Sequence, residues 1–570
     1  MNMDLKNEII KILKKHVKGE IILEIPPELN LGDYALPCFG MAKELKKSPN
    51  KIAEELKSKL KLSEHIEKIE AKGPYLNFYV NKSFLAKHTL SKVKDEKDKY
   101  GAGKNKGNVV VEYCGPNTNK PLHLGHIRNM ALGYSICRIL KFTGSKIHPV
   151  NIVNDRGIHI CQSMLAYKKW GGNKKPEKKG DHFVGDYYVM FSKESEKNEK
   201  LKLEVHELLL KWEQGDKETV DLWKKMNKWV LDGFKETYKR FGVTFEKEYF
   251  ESEYYTKGKE IVMGGYEKNI FEKDHTDAII ARLEKYNLPD KVLLRGDETS
   301  IYITQDIYLA KLRYDDFKFD KLIYVVASEQ NLHFKQLFKI LELLKRPYAK
   351  KMHHLSYGMV NLPSGRMKSR EGTVVDADDI MDETASLTED EIKKRHKNLS
   401  AKEIKARSEI ISLAAIKFYM LKNDPIKDIV FNPEESLNFE GETGPYIQYA
   451  HARACSILKK VEFEKTAKTA TTEKSTINYG LLKHQKEEQL IRLIYTFPEK
   501  VEESALHYKP SIICHYLLAL AQAFNEFYHE CHVISDDKEM TNTRLILVDC
   551  ARQVLDNGLS LLGITAPQEM

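Results

Sequence analysis

The sequence lacks the features that most directly place a chain in a class. Its eight cysteines (Cys38, Cys114, Cys137, Cys161, Cys455, Cys514, Cys531 and Cys550) are scattered over 570 residues, with no C-x-x-C pair and no Cys/His zinc spacing. They read as reduced, mostly buried thiols, so neither a disulfide framework nor a structural metal is expected. No apolar run approaches the ~18 residues of a membrane-crossing helix, so no membrane partner is expected. Met1 to Gly19 carries Asp4 and Glu8 and has neither the apolar core of a signal peptide nor the Arg-rich, acid-free look of a transit peptide. A cytoplasmic chain is the expectation. No repeat at solenoid periods occurs. Excess charge is also modest: 92 Lys+Arg against 83 Asp+Glu leave +9, and the pI of 8.7 falls short of the ~9 of a dedicated nucleic-acid-binding domain. Composition permits an RNA-binding enzyme without requiring one.

What is present is enough to build large cores: 42% hydrophobic and 10% aromatic residues, over a length that predicts about three or four domains. Helical periodicity over residues 1 to about 18 and 38 to 60, a turn at Asn30–Tyr34 leading into the second helix, and strand-like alternation over Tyr75–Val80 predict a small α+β unit at 1–105. Asn108–Tyr113 is a short β-branched apolar run, as expected of a buried parallel strand. A loop with Gly115 and Pro116 follows, then a helix from about His123 to Leu140. Lys146–Val153, Ile301–Thr304 and Leu322–Ala327 read as further core strands interleaved with helices. This predicts a doubly wound parallel-sheet α/β domain over 106–385, with a helical insertion at about 165–270. Beyond it, 386–570 reads as all-helical.

The most informative stretch runs from Glu112 to His126. His123 and His126, at i and i+3, share one face of the first turn of a helix that directly follows a parallel strand. Such a position binds nucleotide phosphates, with helix amides and dipole adding positive potential. Two imidazoles there can donate hydrogen bonds to a phosphate in its transition state, and Gly125 lets a base or ribose approach the backbone. Far downstream, Gly365-Arg366-Met367-Lys368-Ser369-Arg370-Glu371-Gly372 places three cations within five residues, suited to a triphosphate being cleaved.

On these residues the chain resembles the class I aminoacyl-tRNA synthetases. His123-Leu124-Gly125-His126 matches their HIGH motif, and Arg366-Met367-Lys368-Ser369-Arg370 is a variant of their mobile KMSK loop. More narrowly, it looks like the arginyl-tRNA synthetase family over nearly its whole length. Val111–Asn129, Tyr302–Asp306, Gln330–Phe334, Gly444–Arg453 and Asn557–Ile564 fit that family's segments in order, with Gly115 in place of the usual Ser. The resemblance implies a Rossmann-type catalytic domain, an N-terminal domain touching the tRNA elbow and a C-terminal anticodon-binding domain.

It implies site residues as well. Glu112, Gly115, Pro116, Asn117, His126, Tyr302, Asp306 and Gln330 would hold L-arginine; carboxylates with a Tyr and an amide complement a planar guanidinium. His123, Gly125, His126, His333, Met359 and Met367 would contact ATP, with Mg²⁺ arriving on the ATP. In the altered loop the motif's second Lys is Ser369, and the family pattern gives a compensating role to a lysine just before HIGH, here Lys120; Lys368 or Arg370 could instead contact the pyrophosphate. The reaction implied is attack of the arginine carboxylate on the ATP α-phosphate, then transfer to the 2′-OH of the terminal adenosine of tRNA(Arg). No segment resembles an editing domain, and a monomer is expected. For tRNA, Tyr75, Asn77 and Tyr79 share a strand face suited to stacking on a base, with core packing of the aromatics almost as good a reading; Tyr446, Tyr449 and Arg453 are helix neighbours offering aromatic surface and a cation to anticodon bases, with core packing of one or both tyrosines the alternative. Tyr508, Lys509 and Arg544 are weaker candidates, and Trp212, Trp223 and Trp229 read as core anchors. The alternatives are another class I synthetase and a non-catalytic RNA-binding relative.

Overall fold

The computed structural model describes residues 5–26, 31–104, 106–297, 299–361, 363, 375–467 and 477–570. The first unit is a three-stranded antiparallel sheet of β1 (Tyr34–Pro37), β2 (Ile66–Lys72) and β3 (Tyr75–Val80) in the order β1-β3-β2, backed by short helices. The expected helix over 38–60 is two helices, Phe39–Leu45 and Pro49–Lys59. Lys46 turns left-handed at φ 50°, and Ser48 then caps a fresh start by accepting from the Lys51 amide. Nor does the turn before Tyr34 lead straight into a helix, because β1 intervenes.

At the centre stands a five-stranded parallel sheet: β4 (Asn108–Glu112), β5 (Lys146–Val153), β6 (Lys247–Phe250), β7 (Lys321–Ala327) and β8 (Met352–Tyr357), in the order β8-β7-β4-β5-β6. From β4 the chain winds outward through β5 to β6, then returns to β7 on the other side of β4. The strand order therefore reverses between β4 and β7, and a crevice opens at their carboxyl ends. Two readings are corrected here. The stretch at 165–270 is not wholly helical, since β6 lies within it and forms the sheet edge; its four residues, Lys-Glu-Tyr-Phe, are too few to stand out from the charged helical sequence before them. Ile301–Thr304 is no core strand but the start of the helix Tyr302–Phe317. Thr304 Oγ1 accepts the Ile301 amide at 3.1 Å, so a β-branched run becomes a helix cap.

The helix Leu124–Phe142 packs against the end of β4 with almost no clearance. A Cβ added at Gly133 would lie 2.4 Å from the Tyr113 side chain. Gly133→Ala is therefore expected to destabilise the fold by about 1–3 kcal/mol despite alanine's better helix propensity; thermal denaturation followed by circular dichroism checks it. C-terminal to the sheet the chain is almost entirely helical. The helix Ala377–Arg395 runs unbroken across the 385/386 division expected from sequence. The first unit docks on the helix Gln485–His507 through Asp33–Arg492 (2.9 Å) and Lys6–Glu499 (2.8 Å) ion pairs. Among the described residues, no helix is long and apolar enough to cross a membrane.

Candidate active site

A cavity of about 860 Å³ fills the crevice between β4 and β7. Its floor is cross-linked by Asn129 of the Leu124–Phe142 helix. The Asn129 Oδ1 accepts the Cys114 amide (2.6 Å), while its Nδ2 donates to the Val325 carbonyl (2.9 Å) and the Tyr357 hydroxyl (3.0 Å). One side chain thus joins the loop after β4 to β7 and β8. In that loop Cys114 and Gly115 both adopt positive φ, 83° and 66°, and the Gly115 amide donates to Asn151 Oδ1 at 3.0 Å.

The two histidines cap their own helix. His123 is the N-cap residue; its Nδ1 accepts the Gly125 amide at 3.1 Å, while His126 Nδ1 accepts the His123 amide at 3.1 Å. The ring centroids are 3.9 Å apart. Burial, reinforced by Lys120, pushes His123 down to about 3, and burial with the neighbouring His123 and Lys120 lowers His126 well below the ordinary histidine value. Both rings are therefore neutral at physiological pH. With Nδ1 spent as an acceptor, each carries its proton on Nε2, the one donor it has to offer a ligand. Lys120 also lines the cavity; burial lowers its pKa, and among the described residues its ammonium has no partner.

Elsewhere the wall is acidic. Glu112, at the end of β4, is buried and paired with Arg313, itself 1% exposed. Asp306 Oδ2 lies 2.7 Å from His333 Nε2. Glu251, which sequence reasoning missed, is buried just after β6; desolvation pushes it up to about 7 against the pull of Arg156 and Gln305. Arg156 stacks over Tyr255 (3.9 Å) and Trp212 (5.2 Å) and pairs with Glu213. Gly115, Asn117, Gln330, Met359 and Tyr302 line the same cavity, Tyr302 with 73% exposure. Pro116 does not: it is buried and turns its carbonyl to the Asn154 amide at 3.0 Å. Arg366, Met367, Lys368 and Arg370 lie outside the described residues. The chain beyond them returns to the histidine cap, where Leu124 N–H donates to Val375 O and Ala377 N–H to Leu122 O.

Near that return, Asp181, His182 and Asp378 have the spacing of a metal site. The Lys179 ammonium lies 3.0 Å from Asp181 and 2.5 Å from Asp378, so a cation of the chain's own already neutralises them.

The RNA-facing candidates divide. Arg453 donates to Asn525 at 2.6 Å, and Asn525 in turn to the Tyr446 hydroxyl at 3.2 Å. The Arg453 guanidinium lies 4.6 Å from the ring centre of Tyr449 and 5.4 Å from that of Tyr528, both rings exposed. In the first unit Tyr75 meets the exposed Phe39 edge-on, and Tyr79 donates to Glu70. Asn77 is 3% exposed on the central strand, a correction to its placement on an open face. The weaker candidates are engaged within the chain: Tyr508 accepts from Lys321, Lys509 pairs with Asp424, and Arg544 with Glu487. Trp212, Trp223 and Trp229 pack against other aromatics in the helical insertion.

A parallel sheet with a crevice at its strand-order reversal, walled by a histidine-capped helix, is the catalytic architecture of a class I aminoacyl-tRNA synthetase. Comparison narrows this. Residues 89–433 match the family model "tRNA synthetases class I (R), catalytic domain", 447–570 the "DALR anticodon binding domain" and 2–80 the "Arginyl tRNA synthetase N terminal domain". The chain is 46% identical to an arginine–tRNA ligase of Treponema denticola, over 96% of this chain and 95% of that one. The arginyl-tRNA synthetase structure of Thermus thermophilus superposes with a TM-score of 0.86 at 27% identity, covering 99% of both chains. That of Plasmodium falciparum gives 0.80 at 22% identity, covering 99% of this chain and 97% of that one. The chain belongs to the arginyl-tRNA synthetase family.

Proposed function

We propose that the cavity is where arginine is activated by ATP, with the neutral histidines at the phosphates and the acidic wall around the substrate guanidinium. The chain is an arginine–tRNA ligase: it forms arginyl-adenylate and transfers the arginyl group to the terminal adenosine of tRNA. The observation that carries the site assignment is the meeting of two chemistries in one cavity, Nε2–H donors with Lys120 and the carboxylates Glu112, Glu251 and Asp306.

In the activation step an arginine carboxylate oxygen attacks the ATP α-phosphorus and the bond to pyrophosphate breaks. The bipyramidal phosphate gathers negative charge, and His123, His126 and Lys120 supply positive ends of dipoles and one full charge to it. No side chain of the protein takes a covalent role; positioning and electrostatics suffice. Asp306 and Glu251 hold the guanidinium fork, Tyr302 and Gln330 border it, and Asn117 with the Gly115 loop faces the α-ammonium end. Glu112, already opposed by Arg313, contributes one remaining oxygen. Mg²⁺ would travel with the ATP phosphates. The hydroxyl of the terminal adenosine, the 2′-OH, then attacks the activated carbonyl and releases AMP.

The N-terminal sheet, through Tyr75 and Tyr79, meets the tRNA elbow, and the Tyr449–Arg453–Tyr528 cluster offers aromatic surface and a cation to anticodon bases. On this reading the enzyme acts in the cytoplasm as a monomer. Lys120→Ala is expected to lower the aminoacylation rate at least about tenfold, because a buried charge-assisted contact to the α-phosphate is lost. A steady-state rate within a few-fold of wild type would remove Lys120 from the assignment.

A further inference from the structure

Arg128 sits on the same helix as the catalytic histidines and is 1% exposed. Burial lowers its pKa to about 10, which leaves it charged at neutral pH. Among the described residues it forms no ion pair. Its guanidinium instead donates to four backbone carbonyls: Nη1 to Gly358 (2.7 Å) and Met359 (3.0 Å), Nη2 to Pro425 (3.1 Å) and Lys427 (2.7 Å). Only a planar fork with five donors can serve four acceptors arranged in this way.

The carbonyls belong to two strips of chain. Gly358–Val360 follows β8, and Met359 and Val360 line the cavity. Residues 424–430 follow the helix Ala401–Leu421 of the helical region. The strips are joined to each other: Gly358 N–H donates to Pro425 O (2.9 Å), Ile429 N–H to Met359 O (2.9 Å), and Met359 N–H to Asp428 Oδ1 (2.7 Å). Val360 and Asn361 then pair with Ile429 and Val430 as a short parallel ladder. The second strip is fixed in turn by the Lys509–Asp424 ion pair, at 2.6 Å, to the corner between two long helices. One edge of the cavity is thus not built by the catalytic sheet alone. It hangs on a buried cation and on a loop that belongs to the helical region.

We propose that Arg128 and Asp428 are positioning residues for ATP: together they set the Gly358–Val360 edge against which the nucleotide lies, and they take no part in holding arginine. This rests on the reading of the cavity given above. The carboxylates assigned to arginine have separate supports, Glu112 in Arg313, Glu251 in Arg156 and Asp306 in His333. Loosening the edge should therefore weaken one substrate and spare the other. A guanidinium is costly to bury, and an arginine kept only as a structural staple would affect both substrates alike or neither.

The test uses the full-length chain carrying Arg128→Lys or Asp428→Ala. Calorimetric titration with ATP is run beside separate KM determinations for ATP and arginine in aminoacylation. Arg128→Lys is expected to raise the Kd and KM for ATP roughly tenfold and Asp428→Ala about threefold, with the arginine KM within about twofold, since each removes hydrogen bonds that hold the nucleotide edge and none that supports the carboxylates assigned to arginine. Asp428 is exposed, so its variant keeps the question decidable should Arg128→Lys not fold. Unchanged ATP binding in folded Asp428→Ala, or equal losses for ATP and arginine, would overturn the proposal. Were the wild type to bind ATP yet not use arginine, the substrate reading would fail while the ATP titrations still judged Arg128 and Asp428.

Discussion

Replacing His126 with alanine is expected to lower arginine-dependent ATP–pyrophosphate exchange by about 10²–10³-fold, the range found when one preorganised donor to a developing oxyanion is removed. The effect should fall on kcat more than on the KM for ATP, because the Nε2–H meets a charge that grows only as the phosphate becomes five-coordinate. A comparable loss is expected for His123→Ala. Both rings also serve as helix caps, and losing one cap costs about 1 kcal/mol of stability; His126→Asn, whose side-chain oxygen can still accept the His123 amide, separates the two roles. Recovery of thermal stability without recovery of exchange supports the donor assignment, whereas exchange within tenfold of wild type in His126→Ala sinks it. A pH profile adds an independent check. Since burial holds His123 near 3 and His126 far below its ordinary value, neither histidine should contribute an inflection between pH 5.5 and 8 on the order-of-magnitude scale of a free imidazole at ~6.5.

The second large effect concerns Glu251. Burial pushes its pKa up to about 7, more than the pull of Arg156 and Gln305 can offset. Arginine would bring a second guanidinium beside Arg156, and a carboxylate facing a guanidinium is strongly favoured in its ionised form. Arginine binding should therefore draw a proton off Glu251. The sign follows: below about pH 7 the free enzyme holds Glu251 protonated, so the arginine KM rises as pH falls through that value. Glu251→Gln should abolish this dependence and lower kcat/KM for arginine on the order of 10- to 100-fold at pH 8, while the KM for ATP changes little. An arginine KM in the variant that stays at the wild-type level, or that still climbs below pH 7 as wild type does, would show that Glu251 is not a guanidinium ligand.

Much of this architecture can be read without coordinates, for reasons that differ by element. β4 and β7 are buried over most of their lengths, so they carry short runs of Val, Ile and Leu that little else explains, while β5 is legible from the Val and Ile spaced along its partly buried length. The histidine cap is legible because strand, loop and helix start are contiguous and the chemistry falls within four residues. In the acidic wall, Glu112 and Asp306 are named only through the family resemblance, and Glu251 not at all. Glu112, Glu251 and Asp306 come from three distant segments, and the sheet topology alone brings them together. Glu251 in particular follows a four-residue edge strand in a charged stretch, where one more glutamate carries no signal. Ile301–Thr304 misled for the opposite reason: its β-branched residues suit a strand, and only the Thr304 hydroxyl at the helix start explains why they form none. Tyr508, Lys509 and Arg544 looked available for RNA because a sequence shows charge and aromaticity but not the partner already holding each. Arg128 gave no sign at all. A cation two residues past the HIGH motif looks like one more phosphate ligand until its four carbonyl partners are seen.

The histidine cap has an evolutionary side. Aspartate or serine at position 123 would hold the helix start better than an imidazole, since both rank above it among N-cap residues. On the role proposed for the two rings, drift toward a sturdier fold would erode the reaction, and demand for charged tRNA would be what keeps the weaker cap in place. A lineage released from that demand should lose these two histidines early, without unfolding.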